Sequence, residues 1–72
     1  MTRDEHMKWC KKRALAYCDI DDVNQAYASM ASDLGKHEET KNHAAIHLGM
    51  VMLMSGQLST TQKMRKFIEG FN

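Results

Sequence analysis

The sequence predicts an all-α fold, a small bundle of four short helices packed around a Met-rich central helix. The chain of 72 residues has no proline and only four glycines, which leaves few places for β-turns. Residues 43–55 are apolar on almost every side and rich in Met, Leu and Ala, which are strong helix formers. Because a helix that is apolar all round belongs inside a fold, we place it at the centre of one domain, residues 1–72.

The first predicted helix covers residues 3–18. Thr2 and Glu5 have the spacing of a capping box, in which each side chain binds the other residue's backbone N–H. Met7, Cys10 and Ala14 then fall on one apolar stripe at helical spacing. Trp9 lies nearly opposite that stripe, so the pattern predicts one buried face with the tryptophan outside it.

The second predicted helix covers residues 22–34 and follows a short acidic turn. Asp22 and its neighbouring aspartates can cap its first turn. Val23, Tyr27 and Met30 form a clear apolar face. Gly35 stands where a left-handed C-terminal cap is expected. The first two helices should therefore form an antiparallel hairpin.

The third and fourth predicted helices cover residues 41–55 and 60–69. Gly56 is expected to end the third helix, and Ser59 with Gln62 resembles a capping box that begins the fourth. The predicted core takes side chains from all four helices: Ala14, Tyr17, Val23, Tyr27, Met30, Leu34, Ile46, Leu48, Met52, Leu53, Phe67 and Ile68.

The two cysteines favour a cytoplasmic protein. Cys10 and Cys18 are about 12 Å apart along one helix, whereas a disulfide needs Cα atoms within about 7 Å. Free thiols indicate a reducing compartment. Charged residues, not an apolar segment, follow Met1, so no secretory signal is expected. The longest apolar run is too short to span a bilayer, and we expect no membrane contact.

Two residue pairs have the four-residue spacing of helical metal ligands. His43 and His47 form one pair, and His6 and Cys10 form the other. Neither pair has a third ligand at a diagnostic spacing, and the cysteines lie on the apolar stripe, where cysteine acts as a small hydrophobe. The sequence also has no Gly-rich phosphate loop. We therefore expect no metal, no cofactor and no enzymatic activity.

A cluster of basic residues surrounds Trp9 on the first helix. Lys8, Trp9, Lys12 and Arg13 are the predicted partner-binding residues. Three interpretations are open: the tryptophan packs across the end of the bundle, it binds a protein partner, or residues 11–13 and Trp9 bind nucleic acid by phosphate contact and stacking. A formal net charge of +1 gives no global field that would attract DNA or anionic lipid.

The methionines at the end of the third helix predict self-association. Three neighbouring helices cannot cover every side of a central helix that is apolar around its full circumference. Met50, Val51 and Met54 should therefore stay exposed unless a second copy covers them. A self-complementary patch of this kind gives a two-fold homodimer.

The segments HLGMVMLMSGQLSTTQKMRKFIEGF and MTRDEHMKWCKKRALAY resemble short uncharacterised helical proteins encoded by tailed phages and prophages. The resemblance covers most of the chain and carries no catalytic motif. It implies a small accessory protein made in the cytoplasm of an infected bacterium. The expected function is binding of a host protein to modulate a host process, and the alternative is nucleic-acid binding through the Trp9 surface.

Overall fold

The computed structural model describes residues 2–71, which form four α-helices. The helices are α1 (Arg3–Cys18), α2 (Val23–Leu34), α3 (Ala44–Met54) and α4 (Thr61–Gly70). The described part of the chain contains no β-strand, and the predicted all-α bundle of four short helices is confirmed. None of these four helices is long and apolar enough to cross a membrane.

Local capping bonds fix where the helices begin. Thr2 and Glu5 form the predicted capping box: the Thr2 hydroxyl accepts from the Glu5 N–H at 3.2 Å, and the Thr2 N–H donates to Glu5 Oε1 at 3.0 Å. The hydrogen bonds from Thr2 lower the pKa of Glu5. Asp22 caps α2 by accepting from the Gln25 N–H at 3.1 Å. The predicted Ser59 cap is wrong, because Thr60 caps α4.

α3 is shorter than predicted because the polar segment before it folds into turns. The buried Thr40 hydroxyl donates to the Leu34 carbonyl at 2.7 Å, which holds residues 35–43 against the end of α2. His43 caps α3, with its Nδ1 accepting from the Ala45 N–H at 3.0 Å. Gly56 has the left-handed φ of +82° expected after a helix, whereas the expected left-handed conformation of Gly35 is wrong, since its φ is −68°.

The central position in the bundle belongs to α2, so the prediction that the bundle packs around α3 is not confirmed. α2 contacts each of the other three helices, and α1 also contacts α4, whereas α3 packs mainly on α2. α1, α2, α4 and the segment before α4 supply the main core cluster. Its buried members are Met7, Cys10, Ala14, Cys18, Ala26, Tyr27, Met30, Leu34, Leu58, Met64 and Ile68.

Most predicted core residues are buried or packed against the core, and Leu48 is the exception. Its placement in the core is wrong, because 52% of its surface is exposed. α3 buries only Ala45 and Gly49 fully among its residues, while Ile46, Met52 and Leu53 are half-buried. α3 is therefore apolar around its circumference but buried along one edge only, which is why its composition wrongly indicated a central helix.

Gly49 allows α3 to lie directly on Tyr27. A Cβ atom at this position would lie 2.7 Å from Tyr27 Cε1 and 3.2 Å from Phe67 Cε2. The Tyr27 hydroxyl donates to the Ile46 carbonyl at 2.5 Å, which fixes the ring against α3. The missing side chain is thus what brings the α3 backbone within reach of this hydrogen bond.

We predict that Gly49→Ala destabilises the protein. The new methyl group would overpack the Tyr27 and Phe67 rings at a cost of about 1–3 kcal/mol, while the better helix propensity of Ala returns up to about 1 kcal/mol. The net loss should be about 1 kcal/mol in the free energy of unfolding, measured by urea denaturation. Gly70→Ala is the control, because its Cβ would meet no atom within 4 Å. A Gly49→Ala protein at least as stable as wild type would contradict this packing.

Candidate functional site

The side chain of Asp33 is buried and binds two cations, and this arrangement fixes the residues around Trp9. Asp33 is 1% exposed. Its Oδ2 accepts from Arg13 Nε at 2.7 Å, and its Oδ1 lies 3.1 Å from Lys36 Nζ. The Ser29 hydroxyl donates to Oδ2 at 3.4 Å. Arg13, a predicted partner-binding residue, is therefore held by an ion pair within the fold.

Trp9 is half-buried, and side chains of its own chain contact its ring. The Arg13 guanidinium carbon lies 4.8 Å from the ring centre, and Lys36 Nζ lies 5.7 Å away. The His6 ring lies 5.6 Å away and tilted. A base would have to displace these groups before it could stack on the ring. The geometry thus gives Trp9 a structural role, between α1 and the segment that follows α2.

Lys8 and Lys12 are exposed on α1, beside a shallow groove. Neither forms an ion pair with a carboxylate among residues 2–71. Leu15 and Ala16 contribute apolar surface to the groove. We call this surface the α1 groove, and its lining residues are Lys8, Lys11, Lys12, Leu15, Ala16 and Asp19.

Lys11, in the same groove, is used by the fold. Its ammonium group donates to the Phe71 carbonyl and lies 4.7 Å from the centre of the Phe71 ring. Burial lowers the pKa of Lys11. Lys11 therefore ties the end of α4 to α1 and leaves Lys8 and Lys12 as the two cations of the α1 groove that are available to a partner.

Of the basic residues of α4, only Arg65 borders the α1 groove, where it pairs with the groove residue Asp19, with 2.6 Å between Nη2 and Oδ1. Lys63 and Lys66 line a different groove, together with Met52 of α3. Lys63 and Lys66 therefore lie on a separate surface from the α1 groove.

The structure brings His6 and Cys10 together, but in an arrangement that does not activate the thiol. His6 Nε2 lies 2.7 Å from the Asp33 carbonyl oxygen and 3.4 Å from Cys10 Sγ. A carbonyl only accepts, so Nε2 carries a proton and cannot remove one from the thiol. Burial, with a smaller effect of the Asp33 charge, raises the pKa of Cys10 to about 11. Burial also raises the pKa of Cys18.

The two candidate metal pairs have no third ligand within the described residues. No group of three His, Cys, Asp or Glu side chains in residues 2–71 is placed to hold a metal ion. His43 caps α3 through Nδ1 and its ring lies 5.2 Å from that of Phe71, while His47 is exposed. Of this pair, His43 is therefore used as a helix cap, and His47 lies at the surface.

The outer side of α3 carries four of the five exposed large hydrophobic side chains among residues 2–71. Leu48, Met50 and Val51 are about half exposed, and Met54 is 82% exposed. The sequence predicted this exposure for Met50, Val51 and Met54 but not for Leu48. Both sides of the helix are apolar apart from His47, so the pattern did not identify Leu48 as external. We call this surface the α3 face, and its residues are Ala44, His47, Leu48, Met50, Val51 and Met54.

We predict that Asp33→Asn lowers the free energy of unfolding by about 1–3 kcal/mol, because it removes charge-assisted hydrogen bonds to Arg13 and Lys36. Both cations are about half exposed, so water can solvate them after the change. Chemical denaturation measures the effect. Glu38→Gln is the control: Glu38 pairs with Lys41 at an exposed site and should change stability by less than about 0.5 kcal/mol. Equal effects of the two substitutions would refute the role given to Asp33.

We also predict that iodoacetamide modifies neither Cys10 nor Cys18 at neutral pH while the protein is folded. Both thiols are buried and their pKa values are raised, so both stay protonated and inaccessible. Alkylation, followed by mass spectrometry, should increase with denaturant along the unfolding transition. Rapid modification of the folded protein at Cys10 would show an activated thiol instead.

Comparison of the chain with protein-family models, with curated proteins and with solved structures gives no match. The function is therefore inferred from the surfaces described above.

Proposed function

We propose that this chain is a small non-enzymatic accessory protein that binds a host protein through the α1 groove. The observation that supports this most strongly is the pair Lys8 and Lys12, two exposed lysines without an ion-pair partner among residues 2–71, beside the apolar Leu15 and Ala16. A polar, solvent-accessible rim around apolar side chains is the usual arrangement of a protein–protein interface. The complementary partner surface is acidic, with an apolar side chain near its centre.

Nucleic-acid binding is the alternative, and three observations favour a protein partner over it. The Trp9 ring contacts Arg13 and Lys36 of its own chain, so stacking would cost those contacts. Tight binding to DNA typically uses about 6–10 phosphate contacts, far more than Lys8 and Lys12 supply. The formal net charge of +1 adds no long-range attraction for a polyanion.

The proposed setting is the cytoplasm of a bacterium infected by a tailed phage. The resemblance of both ends of the chain to short phage and prophage proteins supports this setting, and it carries no catalytic motif. Two buried free thiols are compatible with a reducing compartment. The proposed effect is modulation of the host process in which the bound protein acts.

We predict that Lys8→Glu combined with Lys12→Glu abolishes capture of the host partner. The tagged protein is incubated with nuclease-treated bacterial lysate, and retained proteins are quantified by mass spectrometry. Because the proposed contacts are electrostatic, a specific partner should be retained less at high salt and lost with the double variant. The matched control is Lys63→Glu combined with Lys66→Glu, two exposed lysines of α4, which should retain the partner.

A partner that both double variants retain would place recognition outside the α1 groove. Proteins retained only from a parallel lysate without nuclease treatment, together with salt-sensitive binding to purified DNA, would support the nucleic-acid alternative instead.

A further inference from the structure

We propose that the α3 face is a homodimer interface, in which α3 packs antiparallel on α3 of a second copy. This inference goes beyond the proposed host-protein binding, because it uses a different surface of the molecule. Its residues lie on the side of α3 away from Tyr27, whereas the α1 groove consists of α1 residues.

The first observation is the spacing of the exposed side chains. Five exposed residues of α3 are spaced three or four positions from another member of the set, so they form one stripe along the helix. They are Ala44, His47, Leu48, Val51 and Met54. All five are exposed, and His47 is the single polar member. A stripe of this period is what one helix presents to another across a coiled-coil-like seam.

The sizes of the side chains select a second copy in the antiparallel direction. In an antiparallel dimer the two-fold axis would pass near the middle of α3. Leu48 would then lie beside Val51 of the second copy, and Ala44 beside Met54 of the second copy. The large Met54 then fills the space above the small Ala44 at both ends of the seam. A parallel pair would instead crowd the two Met54 side chains at one end and leave a gap between the two Ala44 residues at the other.

The helix dipoles favour the same direction, because antiparallel packing places the positive end of each α3 beside the negative end of the other. The α3 face is thus complementary to itself in shape, as a two-fold interface requires.

The length of α3 sets the strength of the association. Its 11 residues span about 16 Å, so the helix pair buries less than the roughly 800 Å² per partner of a standard interface. The dimer should therefore dissociate in the micromolar range and depend on concentration. Sedimentation equilibrium from about 1 to 100 μM covers that range.

Val51→Lys and Met54→Lys test the interface. Each places a charge in the seam at a position exposed in the monomer, so each variant should keep the helical circular dichroism spectrum and weaken dimerisation at least tenfold. Ile20→Lys is the matched control, because Ile20 is 68% exposed in the turn between α1 and α2 and should leave dimerisation unchanged. A wild-type protein that is monomeric at about 100 μM would overturn the proposal. Equal weakening by Ile20→Lys would place the interface elsewhere.

Single-cysteine substitutions test the direction of packing, since the native thiols are buried. A mixture of Ala44→Cys and Met54→Cys proteins should form the mixed disulfide faster than either variant forms its own. Preferential cross-linking of Ala44→Cys to itself would show a parallel pair and overturn the antiparallel arrangement.

Discussion

The structure depends on one constraint, the packing of the other three helices on α2. Met30 and Leu34 are fully buried in the main core, while Tyr27 reaches α3 through Gly49 and the Ile46 carbonyl. A chain of this length buries only about 60% of its unfolded surface, which suffices for one well-covered core. That core lies among α1, α2 and α4, and α3 is left with one buried edge.

The same constraint separates the two candidate interaction surfaces. The α1 groove is formed by residues of the first helix, and the contact of Lys11 with Phe71 attaches that helix to the end of α4. The α3 face belongs to the helix that packs mainly on α2. Dimerisation through the α3 face would therefore give an assembly with two α1 grooves. A host protein with repeated or paired acidic surfaces would bind such an assembly more tightly than it binds one copy, because the second contact is intramolecular.

The sequence predicted several features that depend on neighbouring residues, but not all of them. The capping box of Thr2 and Glu5, the Asp22 cap and the end of α3 before Gly56 are present, whereas Thr60 replaces Ser59 as the cap of α4 and Gly35 is not left-handed. The position of α3 was not predictable in the same way. Periodicity shows which sides of a helix are apolar, but α3 is apolar on all sides, so Leu48 carries the same signal as Met52 and Leu53.

The residues around Trp9 show the same limit. The spacing on α1 placed Trp9 opposite the apolar stripe, but its environment is set by Asp33 and Lys36, which come from α2 and the segment after it. No local pattern identifies Asp33 as the buried acceptor for Arg13, twenty positions earlier in the chain. The exposure of Lys8 and Lys12 was predictable, because both lie off the apolar stripe of α1, and the fold leaves both exposed.

Methionine oxidation tests the central claim, that the core excludes the outer side of α3, most directly. Dilute folded protein is treated with hydrogen peroxide, and the oxidation rate of each methionine is measured by peptide mass spectrometry. The structure predicts fast oxidation of Met54 and Met50 and slow oxidation of Met7, Met30 and Met64, which are buried. Protection of Met50 and Met54 equal to that of Met30 in a protein shown to be monomeric would contradict this account.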